Sequence, residues 1–131
     1  MDNKVQYWID LAEYDIETAE AMFETKRFLY VGFMCHQVIE KSLKGYYVFV
    51  KNEIPDKIHN LIRLAKQSGL YDLFSPDQKK TLDRLDPLNI EARYPKEKEK
   101  LLQALTKEKC QEIIIMTKEL YQWIKLQLSK S

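Results

Sequence analysis

The chain has 131 residues, the size of one domain, and 45% of them are hydrophobic, enough for a core that needs no disulfide or metal. Charged residues make up 31%, but the two signs nearly cancel and leave a net charge of +1. That balance excludes nucleic-acid binding through a global basic field, so any nucleic-acid site must be a local patch.

The first predicted element is an amphipathic helix over about residues 3–25. Apolar residues recur there at steps of three or four and define one face: Val5, Trp8, Ala12, Ile16, Ala19 and Phe23. A turn at residues 26–28 follows. Because this turn is so short, we expect the next helix to be an antiparallel neighbour of the first.

The second predicted helix, residues 29–51, is apolar on more than one side, which is typical of a central helix. It also carries polar residues on one face, because Gln37, Glu40, Lys41 and Lys44 follow helical spacing, with His36 one turn before Glu40. One interpretation is a solvated face with a Glu40–Lys44 pair. The other is a cleft wall whose ammonium groups face phosphate while Glu40 orients them.

The third predicted helix, residues 58–67, has His59 in its first turn and is ended by Gly69. A histidine at a helix start serves local capping or packing, or it binds a ligand. His36, Glu40 and His59 have the chemistry of a metal site. Nothing in the spacing brings His59 to the other two, so we expect neither a metal nor a cofactor.

The next helix is predicted to start at Ser75 as its cap, with Pro76 in the first turn, and to stop before Pro87. Residues 88–100 are expected to form an irregular connection that contains Arg93 and Tyr94. A guanidinium and a phenol in such a loop suit phosphate contact and base stacking. The alternative is an Arg93 that satisfies helix-end carbonyls while Tyr94 packs on the bundle.

A last helix is predicted from Thr106, as its cap, to residue 128. The fold expected from these elements is all-α: one domain over residues 1–131, an antiparallel up-and-down bundle of four to five helices. Cys35 and Cys110 are expected to be buried free thiols. With no signal peptide or membrane span expected, the predicted location is the cytoplasm. The predicted core consists of Trp8, Ala12, Ile16, Val38, Leu43, Ile113, Met116, Leu120 and Ile124.

Four motifs together resemble the HEPN family, named for nucleotide-binding domains of higher eukaryotes and prokaryotes. They are Trp8-x-x-x-Ala12-x-x-Asp15-x-x-x-Ala19, His36-Gln37-x-x-Glu40-Lys41-x-x-Lys44, His59-Asn60-Leu61 and Ala92-Arg93-Tyr94-Pro95. The resemblance implies an antiparallel helical bundle that forms a homodimer. It also implies an operon partner, a minimal nucleotidyltransferase, in pairs that resemble toxin–antitoxin or antibiotic-resistance systems.

One feature of the family's ribonucleases is missing. Those members carry an Arg followed four to six residues later by a His near the last helix, whereas here both histidines, His36 and His59, precede Arg93. A ribonuclease needs such a histidine as general acid or base for the 2′-hydroxyl proton. Enzymatic activity is therefore not the leading expectation, and a composite site of His59 and Arg93 is the remaining route to it.

The leading functional hypothesis is a nucleotide- or RNA-associated partner protein, the companion subunit of a nucleotidyltransferase. A ribonuclease toxin with a non-standard site is the alternative, and a purely structural helical adaptor is a third. The predicted ligand cleft, beside the second helix, is formed by Lys41, Lys44, His59, Arg93 and Tyr94. Arg93→Ala is expected to weaken nucleotide binding more than Lys130→Ala, a tail change of equal charge.

Overall fold

The computed structural model describes residues 2–129, so Lys130, the proposed charge control, lies outside the described residues. The order of helices is α1 (Asn3–Glu24), α2 (Phe28–Lys51), α3 (Leu61–Gln67), α4 (Pro76–Leu85), α5 (Pro95–Ala104) and α6 (Lys107–Leu128). No strand occurs between residues 2 and 129. The predicted all-α bundle is confirmed, with one more helix than the expected range.

Local capping explains where the helices begin. Ser75 and Gln78 form a reciprocal capping box at the start of α4, and Thr106 accepts a hydrogen bond from the first turn of α6. Both caps confirm the sequence prediction. Asn60 caps α3, so this helix begins at Leu61, three residues later than predicted, and His59 lies in the loop before it.

The prediction of an irregular connection over residues 88–100 is wrong. Two 3-10 turns, Asp86–Leu88 and Ile90–Ala92, lead into helix α5, which has Pro95 in its first turn. None of the residues of α5 is buried. Because the helix is Lys/Glu-rich and has no buried face, it lacks the apolar periodicity that reveals a helix in a sequence.

The three long helices form the body of the bundle. Helix α6 runs antiparallel to α1, because Lys118 pairs with Glu20 whereas Tyr121 and Lys125 bind Glu13, earlier in α1. Helices α2 and α6 start side by side, where the Cys110 thiol donates to the carbonyl of Phe28. The segment containing α3, α4 and α5 therefore returns the chain to the start of α2.

The core lies between these three helices and continues under α3 and α4, which add Leu61, Leu64, Leu82 and Leu85. Most of the predicted core is buried: Ala12, Val38, Leu43, Ile113, Leu120 and Ile124. Trp8 and Ile16 are half-buried and pack against it. The prediction for Met116 is wrong, since this half-buried side chain is not among those packed against the core and its sulfur accepts a hydrogen bond from Arg84.

Both cysteines are free and buried, as predicted. Burial raises the pKa of the Cys35 thiol to about 12 and that of Cys110 to about 11, so both stay protonated at neutral pH. Among the described helices, none is both long and apolar enough to cross a membrane.

Candidate functional site

The carboxylate of Glu40, on α2, is buried and has two basic partners. Its Oε2 accepts a hydrogen bond from Lys44 Nζ, one turn later on α2, at 3.1 Å. Its Oε1 and Oε2 lie 3.0 and 3.1 Å from Nδ1 of His59. Because a carboxylate only accepts, Nδ1 of His59 carries the proton. These contacts offset the cost of removing the Glu40 charge from water.

His36, one turn before Glu40 on α2, is completely buried. Its Nε2 donates to the backbone carbonyl of His59 at 3.1 Å, and its Nδ1 accepts from the Gln37 amide at 3.2 Å. Burial lowers the pKa of His36, and this effect exceeds the opposing effects of Glu40 and Asp86. His36 is therefore a neutral imidazole that ties the loop before α3 to helix α2.

A second ion pair extends this arrangement to α1. Lys41 Nζ donates to Asp15 Oδ2 at 2.9 Å and to Gln37 Oε1 at 3.1 Å, so hydrogen bonds connect Asp15 to His36. The polar face of α2 is thus directed at α1 and at the loop before α3. We call the connected set the polar network: Asp15, His36, Gln37, Glu40, Lys41, Lys44 and His59.

The neutral state of His36 predicts a pH dependence of stability. As pH falls below about 6.5, the unfolded chain binds a proton at this histidine before the folded chain does, so protonation favours unfolding. The free energy of unfolding should be greatest above that pH and should decrease below it. Urea unfolding at about pH 7.5 and about pH 5.5 measures the change. A His36→Gln variant should lose part of it, and an identical change in both proteins would contradict the prediction.

Arg93 and Tyr94 lie outside the polar network, and within residues 2–129 no hydrogen bond or ion pair joins them to it. Arg93 Nε donates to the carbonyl of Pro87 at 3.1 Å, and Nη1 lies 3.4 Å from a carboxylate oxygen of Glu97. Tyr94 does not pack on the bundle, since 76% of it is exposed. Arg93 thus binds a carbonyl, as the structural interpretation expected. Tyr94 is exposed to solvent, so the packing that the same interpretation expected for it is wrong.

A chain of contacts nevertheless anchors Arg93 close to the loop of His59. The backbone N–H of Leu61, two residues after His59, donates to Asp86 Oδ1 at 3.0 Å. The next residue, Pro87, supplies the carbonyl that binds Arg93. The turn at residues 86–88 therefore contacts the start of α3 on one side and holds Arg93 on the other.

Of the predicted ligand residues, the structure brings Lys41, Lys44 and His59 into one network. Both ammonium groups face carboxylates, and the lysine side chains are only 19% and 8% exposed, respectively. The side chain of His59 is 59% exposed, so within the network it is the one that solvent and a ligand can reach. Asp15 was named in the motif of the first helix but was given no role, although a carboxylate on the apolar face of α1 was a signal that it needs a partner.

A metal site of His36, Glu40 and His59 was the other possibility. Across the described chain, no group of three or more His, Cys, Asp or Glu side chains is arranged to hold a metal ion. Nε2 of His36 is occupied by the backbone carbonyl of His59. The same three residues are therefore brought together by hydrogen bonds among themselves.

One family model and two solved structures match the chain. The family model described as HEPN domain matches residues 5–127. The crystal structure of TT1696 from Thermus thermophilus superimposes with a TM-score of 0.80 at 16% identity, over 95% of this chain and 98% of that one. ST0689, described as an archaeal HEPN homologue, gives 0.71 at 23% identity over 98% and 100%. No curated protein matches the chain significantly.

Proposed function

The chain belongs to the HEPN domain family, a nucleotide- and RNA-associated family, and on that premise we propose that it binds a nucleotide or RNA phosphate beside the polar network. His59, Arg93 and Tyr94 are the contact residues in this proposal. The imidazole and the guanidinium donate to phosphate, and the exposed phenol ring stacks on a base. Lys44 supports the site by pairing with Glu40, the carboxylate that holds His59, and Lys41 supports it by joining Asp15 to Gln37 in the same network.

The observation that carries the proposal is the contact chain from His59 through the start of α3 to the turn that holds Arg93. It supports a shared site because one turn, residues 86–88, binds both Arg93 and the start of α3, two residues after His59. Their side chains are 59% and 33% exposed, so both remain accessible to a ligand from solvent. The Arg93–Glu97 ion pair is partly exposed and its atoms are 3.4 Å apart, so it is weak and a phosphate can replace it at little cost.

Arg93→Ala is expected to weaken the binding of a ribonucleoside monophosphate or a short oligoribonucleotide by about tenfold, the typical effect of losing one charged hydrogen-bond donor. Equilibrium titration at low and at higher salt measures it, and salt should reduce binding by the native chain. Arg84→Ala is the matched control: it removes the same charge at an exposed pair with Glu112 on α6. Equal losses in the two variants would argue against a site at Arg93.

A ribonuclease is the second candidate function, favoured by the contact between Glu40 and His59. A buried carboxylate that holds Nδ1 of a largely exposed imidazole leaves Nε2 facing solvent as a general base. Hydrolysis of RNA by the pure protein, lost in His59→Ala and retained in Arg84→Ala, would establish this activity. RNA that stays intact during prolonged incubation would exclude it for that substrate.

We also propose, from the family resemblance, that the chain is the companion of a minimal nucleotidyltransferase in a toxin–antitoxin-like pair. This proposal concerns a second protein chain, so its test is direct. The two proteins, co-expressed with a tag on one of them, should purify together in a fixed ratio. Growth arrest by one member alone, relieved by the other, would assign the toxin and antitoxin roles.

A homodimer is the expected assembly. Large apolar side chains are exposed on α1 and α6: Tyr14 is 69% exposed, Ile115 57% and Leu126 60%. Exposed apolar surface of this kind is typical of association sites, and the net charge of +1 gives little repulsion between copies. Sedimentation should give a dimer at tens of micromolar, and Ile115→Asp should shift it toward monomer. A native chain that sediments as a monomer would contradict the prediction.

A further inference from the structure

A cleft lies at the C-terminal end of α2, next to the first turns of α1. It has a volume of about 510 Å³, within the range of small-ligand sites. Helix α2 ends there, and Asn52, in the left-handed conformation with φ of 53°, turns the chain away from the helix axis. The cleft is lined by Asn3, Lys4, Tyr7, Trp8, Val48 and residues 52–55.

The walls of this cleft are aromatic and aliphatic. Tyr7 and Trp8 meet edge to face, with ring centroids 5.5 Å apart and an interplanar angle of 82°. A planar group that lies flat on one ring therefore meets the other at right angles. Ile54, which also lines the cleft, is 90% exposed, so its side chain is available to cover a bound group.

Trp8 is packed tightly against α2 in this position. α1 and α2 approach so closely that a Cβ added at Gly45 would lie 3.2 Å from the Cβ of Trp8. The Lys44 ammonium lies 5.7 Å from the centroid of the Trp8 ring. A side chain that packing already confines loses little conformational entropy when a ligand binds, so it favours binding more than a mobile side chain would.

The polar rim of the cleft has the chemistry that reads base edges. Asn3 and Asn52 offer amides, Lys4 an ammonium, and Glu53 a carboxylate that also accepts from the Tyr47 hydroxyl at 3.3 Å. Amide, ammonium and carboxylate groups are the side-chain partners of nucleobase acceptors and amines. A mixed rim of one cation and one anion fits an uncharged ring with donors and acceptors better than it fits a phosphate.

From the volume, the aromatic walls and this rim we infer that the cleft is a nucleobase-binding site, separate from the phosphate contact at His59 and Arg93. The base stacks on Trp8 or Tyr7 and is covered by Ile54, and its ribose and phosphate stay in solvent. The inference deepens the proposed nucleotide or RNA association by adding a second point of contact. Its ligand is either a free nucleotide or an unpaired base of RNA, which share this chemistry.

The test is titration calorimetry of the full chain with the four ribonucleoside monophosphates and with single-stranded oligoribonucleotides. Ile54→Ser should weaken binding by about tenfold, because it removes apolar cover from the base. Leu73→Ser is the control, since Leu73 is another exposed aliphatic residue, remote in sequence from the cleft and absent from its lining. Both changes are at exposed side chains and should leave the fold intact.

Fluorescence locates the ligand. In a Trp123→Phe background Trp8 is the sole tryptophan, and its emission should be quenched on binding. Quenching by mononucleotides indicates a free nucleotide as the ligand, and quenching by oligoribonucleotides alone indicates RNA. No binding of any probe, or equal binding by Ile54→Ser and Leu73→Ser, would overturn the inference.

Two variants, Ile54→Ser in the cleft and Arg93→Ala at the proposed phosphate contact, distinguish the two sites. If Ile54→Ser weakens binding and Arg93→Ala does not, the nucleobase site stands and the site at Arg93 fails. The reverse result overturns the nucleobase site alone. Losses in both variants support two contacts with one ligand.

Discussion

Replacement of Glu40 by Gln should lower the free energy of unfolding by about 3–5 kcal/mol, the typical cost of breaking a buried ion pair by removing one partner. The substituted glutamine would keep the size of the side chain but not its charge. Lys44, which is 8% exposed, would then be a nearly buried cation without its anion. Nδ1 of His59 would also lose a charged acceptor, which weakens the attachment of the loop before α3.

Urea denaturation of the native chain and of Glu40→Gln measures this loss. Glu20→Gln is the matched control, because Glu20 pairs with Lys118 at a site where both side chains are about half exposed. Such a pair typically contributes only about 0–1 kcal/mol. A Glu40→Gln, Lys44→Met double variant should recover part of the stability, since it leaves no unpaired charge. Similar losses in the free energy of unfolding for Glu40→Gln and Glu20→Gln would show that the buried Glu40 pair contributes no more to stability than an exposed pair.

The helices that bury an apolar face could be predicted from the sequence, and the one that does not could not. The stripe of α1, with Val5, Ala12 and Ala19 buried, and the start of α4 at Ser75 followed from periodicity and capping. Helix α5 has no fully buried residue, since only Leu101 packs against the core from one side, and Pro95 at its first position was interpreted as part of a loop. Its helical structure depends on local propensity, which leaves no apolar pattern to detect.

The same division applies to the candidate site. The contacts between Glu40 and Lys44 and between Gln37 and Lys41 are one helical turn apart, so their closeness follows from spacing alone. The contact of Glu40 with His59 spans 19 residues and depends on the irregular loop between α2 and α3. Backbone conformation there is set by tertiary packing, which no local pattern encodes.

The partners of the lysine ammonium groups could not be predicted from the sequence. Helical spacing placed Lys41 and Lys44 together but did not indicate what their ammonium groups face. Asp15, 26 residues earlier, binds Lys41, and Glu40 binds Lys44. Since a nearly buried cation must find an anion, the decisive information was the position of the two carboxylates. For this reason the phosphate contact is proposed at the exposed His59 and Arg93, with the lysines in support.

Leu120→Ala should destabilise the chain by about 2–5 kcal/mol, because it removes apolar contacts and leaves a cavity that the surrounding helices fill only in part. Leu120 is 2% exposed and lies in the core that α6 shares with α1 and α2. Leu102→Ala makes the same chemical change on α5, where the leucine is 54% exposed, and should alter stability by no more than about 0.5 kcal/mol. Equilibrium urea unfolding of both variants measures the difference. Because α5 contributes no buried residue whereas α6 is central, comparable losses would mean that the core is not where the structure places it.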